Sequence, residues 1–197
     1  MANELYPIFL KVHQFDTLIV GGGTVGLEKL TFILNSSPNA RVTLVASTIK
    51  PEIKALASLH LSVTLFERPF FNEDLTSMQI VIVATEDHIT NCAIHQEAKS
   101  RDILVNVADT PDLCDFYLGS IVTKGDLKVA ISTNGKSPTI AKRLKEVLND
   151  VLPSEINELL QNMRVIRDEL KGDFDQKVKK LNQLTESLVS KNKQIKP

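Results

Sequence analysis

An α/β fold built on a parallel sheet is predicted by three observations. Short apolar, β-branched runs recur between residues 17 and 107, helical apolar patterns separate them, and three glycines follow the first run directly. Strands buried on both faces read as continuous apolar runs, and parallel neighbours need a crossover between them. Past residue 109 the pattern changes to a hairpin and then to amphipathic helices.

The elements can be justified in order. Thr17 to Val20 is a short apolar run, the first strand. Val25, Leu27, Leu30, Ile33 and Leu34 then give one helical face, which ends at Asn35-Ser36-Ser37-Pro38. "ARVTLVAS" reads as the second strand, "IKPEIKALASL" as a short helix, and "LSVTLFER" as the third strand. "MQIVIVATED" is the fourth strand, "TNCAIHQEAKSRD" a helix, and "ILVNVAD" the fifth strand.

The second half starts with two strand-like runs, Phe116 to Thr123 and Leu127 to Ser132, joined by Lys124-Gly125-Asp126 in a hairpin. Ser137 is a natural N-cap and Pro138 suits a first helical turn. Ile140, Ala141, Leu144, Val147 and Leu148 follow as one apolar stripe. "SEINELLQNMRVIRDEL" gives a further helix with Ile156, Leu159, Leu160, Met163, Ile166 and Leu170 on a face. "DFDQKVKKLNQLTESLV" gives a third through Phe174, Val178, Leu181 and Leu188, and the polar tail "SKNKQIKP" reads as a frayed end. These stripes are more simply core than cofactor contacts.

The predicted architecture is a Rossmann-like parallel-sheet domain over residues 1–113, a β-hairpin dimerisation region over 114–149, and a small helical domain over 150–197. A lone two-stranded hairpin is marginal, so its apolar faces need a partner, and a homodimer is expected to supply it.

Bulk properties narrow the function. The 197-residue chain is 43% hydrophobic, enough for one core and a smaller appended unit. A net charge of -1 argues against nucleic acid or an anionic membrane as partner. At 5% aromatic content and with no Trp, base-stacking platforms are not expected. Cys92 and Cys114 form no CxxC pair, and His13, His60, His88 and His95 show no ligand spacing. The N-terminus lacks a secretory pattern, and no apolar run approaches the ~20 residues of a membrane span, so a cytoplasmic protein is expected.

The glycines match G-x-G-x-x-G as Gly21, Gly23 and Gly26, with Gly22 between the first two. Gly21 allows a tight turn, Gly23 lets backbone approach a pyrophosphate, and Gly26 lets the helix pack close to the strand. The free N–H groups of the helix start would then meet the phosphates. Because the motif follows a strand and opens a helix, dinucleotide binding is the favoured reading over a packing turn.

A carboxylate is missing where an NAD site often has one, about 20 residues past the glycines at the end of the second strand. Ala46, Ser47 and Thr48 stand there, so Ser47 and Thr48 would have to meet the ribose. Lys50 and Arg41 raise NADP as an alternative, although Arg41 opens the strand and Lys50 reads as plain surface. Ligands of open α/β sheets bind beyond the carboxyl ends of the strands. Thr85, Asp87 and Asp109 are therefore expected at the crevice, Asp87 chiefly as an N-cap. Asp109, in "VNVADTPDLCDF", is either an Asx-turn residue before Pro111 or a functional carboxylate, and position alone does not choose.

Taken together, "YPIFLKV", "IVGGGTVGLEKL", "VTLVA", "IVIVATED", "VNVADTPDLCDFYLGSIV" and "VAISTNGKSPTIAKRLKE" resemble the precorrin-2 dehydrogenase and sirohydrochlorin ferrochelatase family, found also as the N-terminal module of sirohaem synthase. The likeness runs in order over residues 6–146. It implies NAD-dependent dehydrogenation of precorrin-2 to sirohydrochlorin, a homodimer, and in some members insertion of ferrous iron as a co-substrate. Iron insertion here stays open. The resemblance puts cofactor contacts on Thr24-Val25 and Ser47-Thr48, and the key carboxylate on Asp109. It places a nearby hydroxyl on Thr133, where a phosphorylatable Ser occurs in some relatives, with Ser137 beside it as a second substrate-binding candidate.

Two departures stand out: Gly26 replaces a common Ala, and Asn134 a common Gly, though Asn tolerates the left-handed conformation. No uroporphyrinogen methyltransferase module follows residue 197, so that activity of the fused enzymes is not expected.

The resemblance also implies a polycarboxylate substrate with eight carboxylates, for which Lys124, Lys136, Lys142 and Arg143 are candidate partners. For each of them singly a solvated basic face is the simpler reading. Hydride removal also requires that a proton leave, and a carboxylate at the crevice lip suits that base role. Two competing classes remain: a nucleotide-sensing regulatory module without catalysis, and a dehydrogenase for an unrelated small substrate.

Overall fold

The structure is a computed structural model that describes residues 3–171 and 173–190, without the side chains of 187–190. The expectations for Leu188 and for the tail beyond residue 190 fall outside the described residues.

Five parallel strands form the sheet: β1 (Asp16–Val20), β2 (Arg41–Ala46), β3 (Val63–Glu67), β4 (Ile80–Val83) and β5 (Leu104–Val107). Their order is β3-β2-β1-β4-β5. The crossovers carry α1 (Thr24–Ser36), α2 (Pro51–Ser58) and α3 (His88–Ser100). The chain leaves β1 toward one edge and returns at β4 to build the other, so the order reverses beside β1. A crevice opens at such a switch point, beyond the strand ends.

Successive strand residues point to opposite faces, and both faces are filled. Leu18, Val20, Val81 and Val83 join Ile94, Ala98 and Val105 in one core cluster. Ile19, Leu44 and Ile82 join Leu30, Ile33, Leu34 and Ile53 in the other. Burying a side chain of this size contributes about 1.5–3 kcal/mol, and Leu18, Ile19, Leu44 and Val81 are 0% exposed.

The chain divides into two compact units, residues 1–119 with 132–141, and residues 120–131 with 142 onward. The second holds the antiparallel pair β6 (Ser120–Lys124) and β7 (Leu127–Ile131), with Val122 opposite Val129. It also holds most of α4 (Pro138–Val151), together with α5 (Ile156–Glu169) and α6 (Phe174–Ser190). Gly125, at φ 57°, makes the hairpin turn, and the Asp126 N–H donates to Asn157 Oδ1 at 2.8 Å.

Two expectations need correction. The first hairpin strand begins at Ser120 rather than Phe116. Phe116 and Leu118 instead pack on the sheet's core, and Asn106 Nδ2 donates to the Phe116 carbonyl at 2.8 Å. The helical stripes are only partly core within this chain: Ala141 is buried and Ile156, Leu159, Met163, Ile166 and Leu170 are half-buried, but Ile140, Leu144, Val147 and Phe174 are exposed. Segment "YPIFLKV" has no regular secondary structure and is exposed from Tyr6 to Phe9.

Candidate active site

A crevice of about 1070 Å³ lies at the carboxyl ends of the strands. Gly21, Gly22, Gly23, Thr24 and Val25 line it, with Ser47, Thr48, Thr85, Asp87 and Asp109. Gly26, Thr133 and Ser137, singled out in the sequence, are not among its lining residues, nor are Arg41, Lys50, Lys124, Lys136, Lys142 and Arg143.

The glycine turn follows from local sterics. Gly21 sits at φ 128°, and a Cβ there would strike the Ala84 carbonyl, so only glycine fits without strain. Around Gly23 a Cβ would meet nothing within 4 Å, which leaves the backbone open to a ligand. A Cβ on Gly26 would run into the Gly21 carbonyl, so that glycine serves helix–strand packing. The first helical bond of α1 runs from Leu27 N–H to Gly23 C=O at 3.0 Å. The N–H groups of Thr24, Val25 and Gly26 therefore have no intrahelical acceptor, and the helix dipole adds positive potential there.

The β2 corner is held from outside the crevice. Ile49 N–H donates to Glu67 Oε1 at 2.9 Å, and Lys54 Nζ lies 2.7 Å from Glu67 Oε2. The Lys54 ammonium, and then the Ile49 N–H, hold the Glu67 carboxyl below its usual range. Ser47 and Thr48 are exposed on the crevice side of this brace. Lys50 is not plain surface: its Nζ donates to Thr24 Oγ1 at 3.2 Å, and its N–H donates to the Gly22 carbonyl at 3.0 Å.

Past β4, the Thr85 hydroxyl donates to Asn91 Oδ1 at 2.5 Å, while Asn91 Nδ2 donates to the Thr85 carbonyl at 3.0 Å. Asp87 is the N-cap of α3, accepting from the N–H groups of Ile89 and Thr90. The Thr90 hydroxyl, then the Ile89 N–H, hold its carboxyl below the usual range. Pro69 and Phe70 form a further wall that no motif in the sequence singles out. The loop bearing them is fixed by Arg68, which forks onto Asp74 at 2.8 and 2.6 Å.

Asp109 stands on a loop tied at both ends. Asp115 N–H donates to the Val105 carbonyl at 2.8 Å, and Val105 N–H donates to Asp115 Oδ2 at 2.9 Å. Cys114 Sγ accepts from Val107 N–H at 3.3 Å and donates to the Val107 carbonyl at 3.2 Å. Burial pushes the Cys114 thiol up, so it stays a neutral donor. Burial also raises Asp115, but the Lys99 ammonium at 2.7 Å and the Val105 N–H outweigh it and hold the carboxyl low. The run Cys-Asp-Phe is thus a clasp that closes the loop onto β5. At its crest Asp109 adopts φ 56°, exposed, and its carboxylate makes no hydrogen bond or ion pair to the described residues. The Asx-turn alternative for Asp109 is not formed.

Thr133 and Ser137 serve α4. Thr133 Oγ1 donates to the Ser137 carbonyl at 3.1 Å and accepts from Ser137 N–H at 3.2 Å. Ser137 Oγ accepts from Ile140 N–H at 3.2 Å, as an N-cap does. Asn134 takes the left-handed φ of 54° that its sequence position suggested. Among the described residues no group of three or more His, Cys, Asp or Glu side chains is placed to hold a metal ion. Among them, too, no helix is long and apolar enough to cross a membrane.

A glycine-floored crevice at the switch point of this sheet defines a dinucleotide-binding protein of Rossmann type. The chain belongs to the family described as "Putative NAD(P)-binding", whose model matches residues 8–120. A second model, described as sirohaem biosynthesis protein central, matches residues 124–150. The siroheme synthase of Pseudoalteromonas atlantica is 34% identical over 177 residues, 90% of this chain and 38% of that protein. The siroheme synthase of Psychrobacter cryohalolentis is 35% identical over 174 residues, 88% of this chain and 32% of that protein. The chain therefore spans only about a third of the length of these relatives. Among solved structures, SirC, precorrin-2 dehydrogenase, matches with a TM-score of 0.71 and 27% identity, covering 91% of this chain and 89% of that one. These findings agree with the resemblance read from the sequence motifs.

Proposed function

We propose that this protein is an NAD-dependent dehydrogenase that converts precorrin-2 to sirohydrochlorin. The observation that carries the reading is the unpartnered Asp109 carboxylate at the lip of a glycine-floored crevice. The open space above Gly23 and the free N–H groups at the start of α1 fit a dinucleotide pyrophosphate. Thr24 and Val25 would hold that pyrophosphate, and Ser47 and Thr48 the adenosine ribose. A nicotinamide bound there supplies the hydride acceptor.

The chain's own residues supply position and a base. The clasp of Cys114 and Asp115 fixes the loop, and Asp109 accepts the proton that the macrocycle loses as its hydride departs. An exposed carboxylate without a partner among the described residues is free to take that proton. For an octacarboxylate substrate, the start of α4, ordered by Thr133 and Ser137 and flanked by Lys136, is the proposed docking point. The division into residues 1–113, 114–149 and 150–197, a cytoplasmic location and a homodimer belong to the same proposal. The exposed stripe Ile140, Leu144, Val147 supports the homodimer.

Ferrous iron is a proposed second substrate, with Asp109 accepting pyrrole N–H protons as metal enters. Anaerobic incubation with precorrin-2 and NAD, followed by visible absorption, tests the dehydrogenase. The expected result is NAD-dependent formation of sirohydrochlorin. A further iron-dependent change above the rate without protein would support the second activity. Dinucleotide binding without turnover would overturn the enzyme reading in favour of a nucleotide sensor.

A further inference from the structure

His88 and Cys92 stand one turn apart on α3, and neither takes part in the glycine turn or the loop clasp. Residues four apart on a helix share a face. Cys92 Sγ lies 3.5 Å from His88 Nδ1 and 3.9 Å from its Nε2. The other thiol differs: Cys114 Sγ is committed to the Val107 N–H and carbonyl. His88 is exposed and lines the crevice, and Cys92 is half-buried one turn further along.

In a tetrahedral site a thiolate lies about 2.3 Å and an imidazole nitrogen about 2.1 Å from a metal ion such as zinc, so two such donors stand about 3.5 Å apart. That is the separation of Cys92 Sγ and His88 Nδ1. It also suits a hydrogen bond between the thiol and the ring. Exchange of the thiol proton for a metal ion therefore requires neither side chain to move.

The surroundings favour a cation. Glu86, Asp87 and Asp109 line the same crevice as His88, and among the described residues no Lys or Arg lines it. Asp87 caps α3 through the Ile89 and Thr90 N–H groups, which sets an anion against the positive end of the helix dipole. A thiolate and an imidazole select transition-metal ions such as Fe²⁺, Co²⁺ and Zn²⁺ over Mg²⁺ and Ca²⁺. Two protein donors leave the remaining positions to water or to an incoming macrocycle, an arrangement suited to an ion in transit.

We infer that His88 and Cys92 form a landing site for a divalent transition-metal ion at the lip of the crevice, from which ferrous iron passes to the macrocycle. The delivery step rests on the proposed iron insertion, and the binding site does not. On binding, the Cys92 S–H bond breaks, its proton goes to solvent, and a sulfur–metal bond forms with no change in oxidation state. His88 Nδ1 contributes its lone pair. As the ion leaves for the macrocycle, the sulfur takes up a proton again.

Anaerobic titration of the full chain with Co²⁺ tests the site, because thiolate-bound cobalt has an intense near-ultraviolet charge-transfer band. The band is expected in the wild type and should be abolished in Cys92→Ser. His88→Ala should weaken cobalt binding by at least about tenfold, since loss of even an outer partner of a metal ligand costs that much. No band from a folded wild-type chain would overturn the inference, as would an undiminished band in Cys92→Ser. Iron insertion into supplied sirohydrochlorin then tests delivery. Cys92→Ser should raise KM for Fe²⁺ about tenfold, with kcat and NAD-dependent dehydrogenation near wild type. An unchanged KM would overturn delivery. Cobalt binding at Cys92 in a wild-type chain that inserts no iron would instead overturn the iron-insertion reading and leave the metal site supported.

Discussion

The sheet unit and the hairpin–helix unit solve the burial problem differently. In the first, alternate residues of β1, β2 and β4 fill two cores, and Leu18, Ile19, Leu44 and Ile82 are fully covered. In the second, Val122 is buried, yet α5 has no fully buried residue and its part of α4 presents Leu144, Val147 and Val151 to solvent. A parallel sheet with helices on both faces completes its own core. A two-stranded ribbon with amphipathic helices does not, and its apolar stripe is the surface expected to meet a second copy.

Substitutions can break or sharpen that contrast. The largest effect is expected from Leu44→Ala, where a fully buried side chain is lost: about 3–4 kcal/mol in chemical denaturation. Leu144→Ala, at 44% exposure, should cost far less at low protein concentration and instead shift the sedimentation profile toward monomer. Equal losses from both would erase the distinction between the units. Next comes Gly21→Ala, which forces a side chain into φ 128° and onto the Ala84 carbonyl. About 2–3 kcal/mol is expected, with loss of NADH binding.

Asp115→Asn should follow at about 1–2 kcal/mol, since the clasp loses its charge while keeping an acceptor. The pH dependence has a definite sign. The folded Asp115 carboxyl is held below its unfolded value, so its stabilisation is present above about pH 4 and is lost as pH falls through the folded value. Acid unfolding of Asp115→Asn should therefore be less steep below about pH 4 than that of the wild type. The smallest effect belongs to Glu67→Ala, which releases Ile49 N–H behind Ser47 and Thr48. NADH affinity should fall by about twofold to fivefold in titration, with folding unaffected.

The sheet was legible in the sequence because its signal is local. Continuous apolar runs mark doubly buried strands, and the spacing of Gly21, Gly23 and Gly26 encodes a turn whose sterics need no distant partner. The Ser137 cap and the Asp87 cap were legible for the same reason. What was hidden depends on contacts distant in sequence or on what a short run does in space. Phe116 and Leu118 look like a strand, but Asn106 and the sheet core capture them. Lys50 looks like surface until the fold brings it to Thr24, 26 residues away. Cys114 and Asp115 carried a signal in their unusual juxtaposition, but no rule of periodicity says that they close a loop onto β5. The wall of Pro69 and Phe70 had no signal of its own.

The measurement closest to the central claim is a paired one on Asp109→Asn: NADH affinity by titration, and anaerobic NAD-dependent turnover of precorrin-2. The account predicts wild-type NADH affinity, since the carboxylate makes no bond that orders the crevice, and turnover lower by about 10²–10⁴-fold. Turnover equal to wild type, with cofactor binding intact, would contradict it.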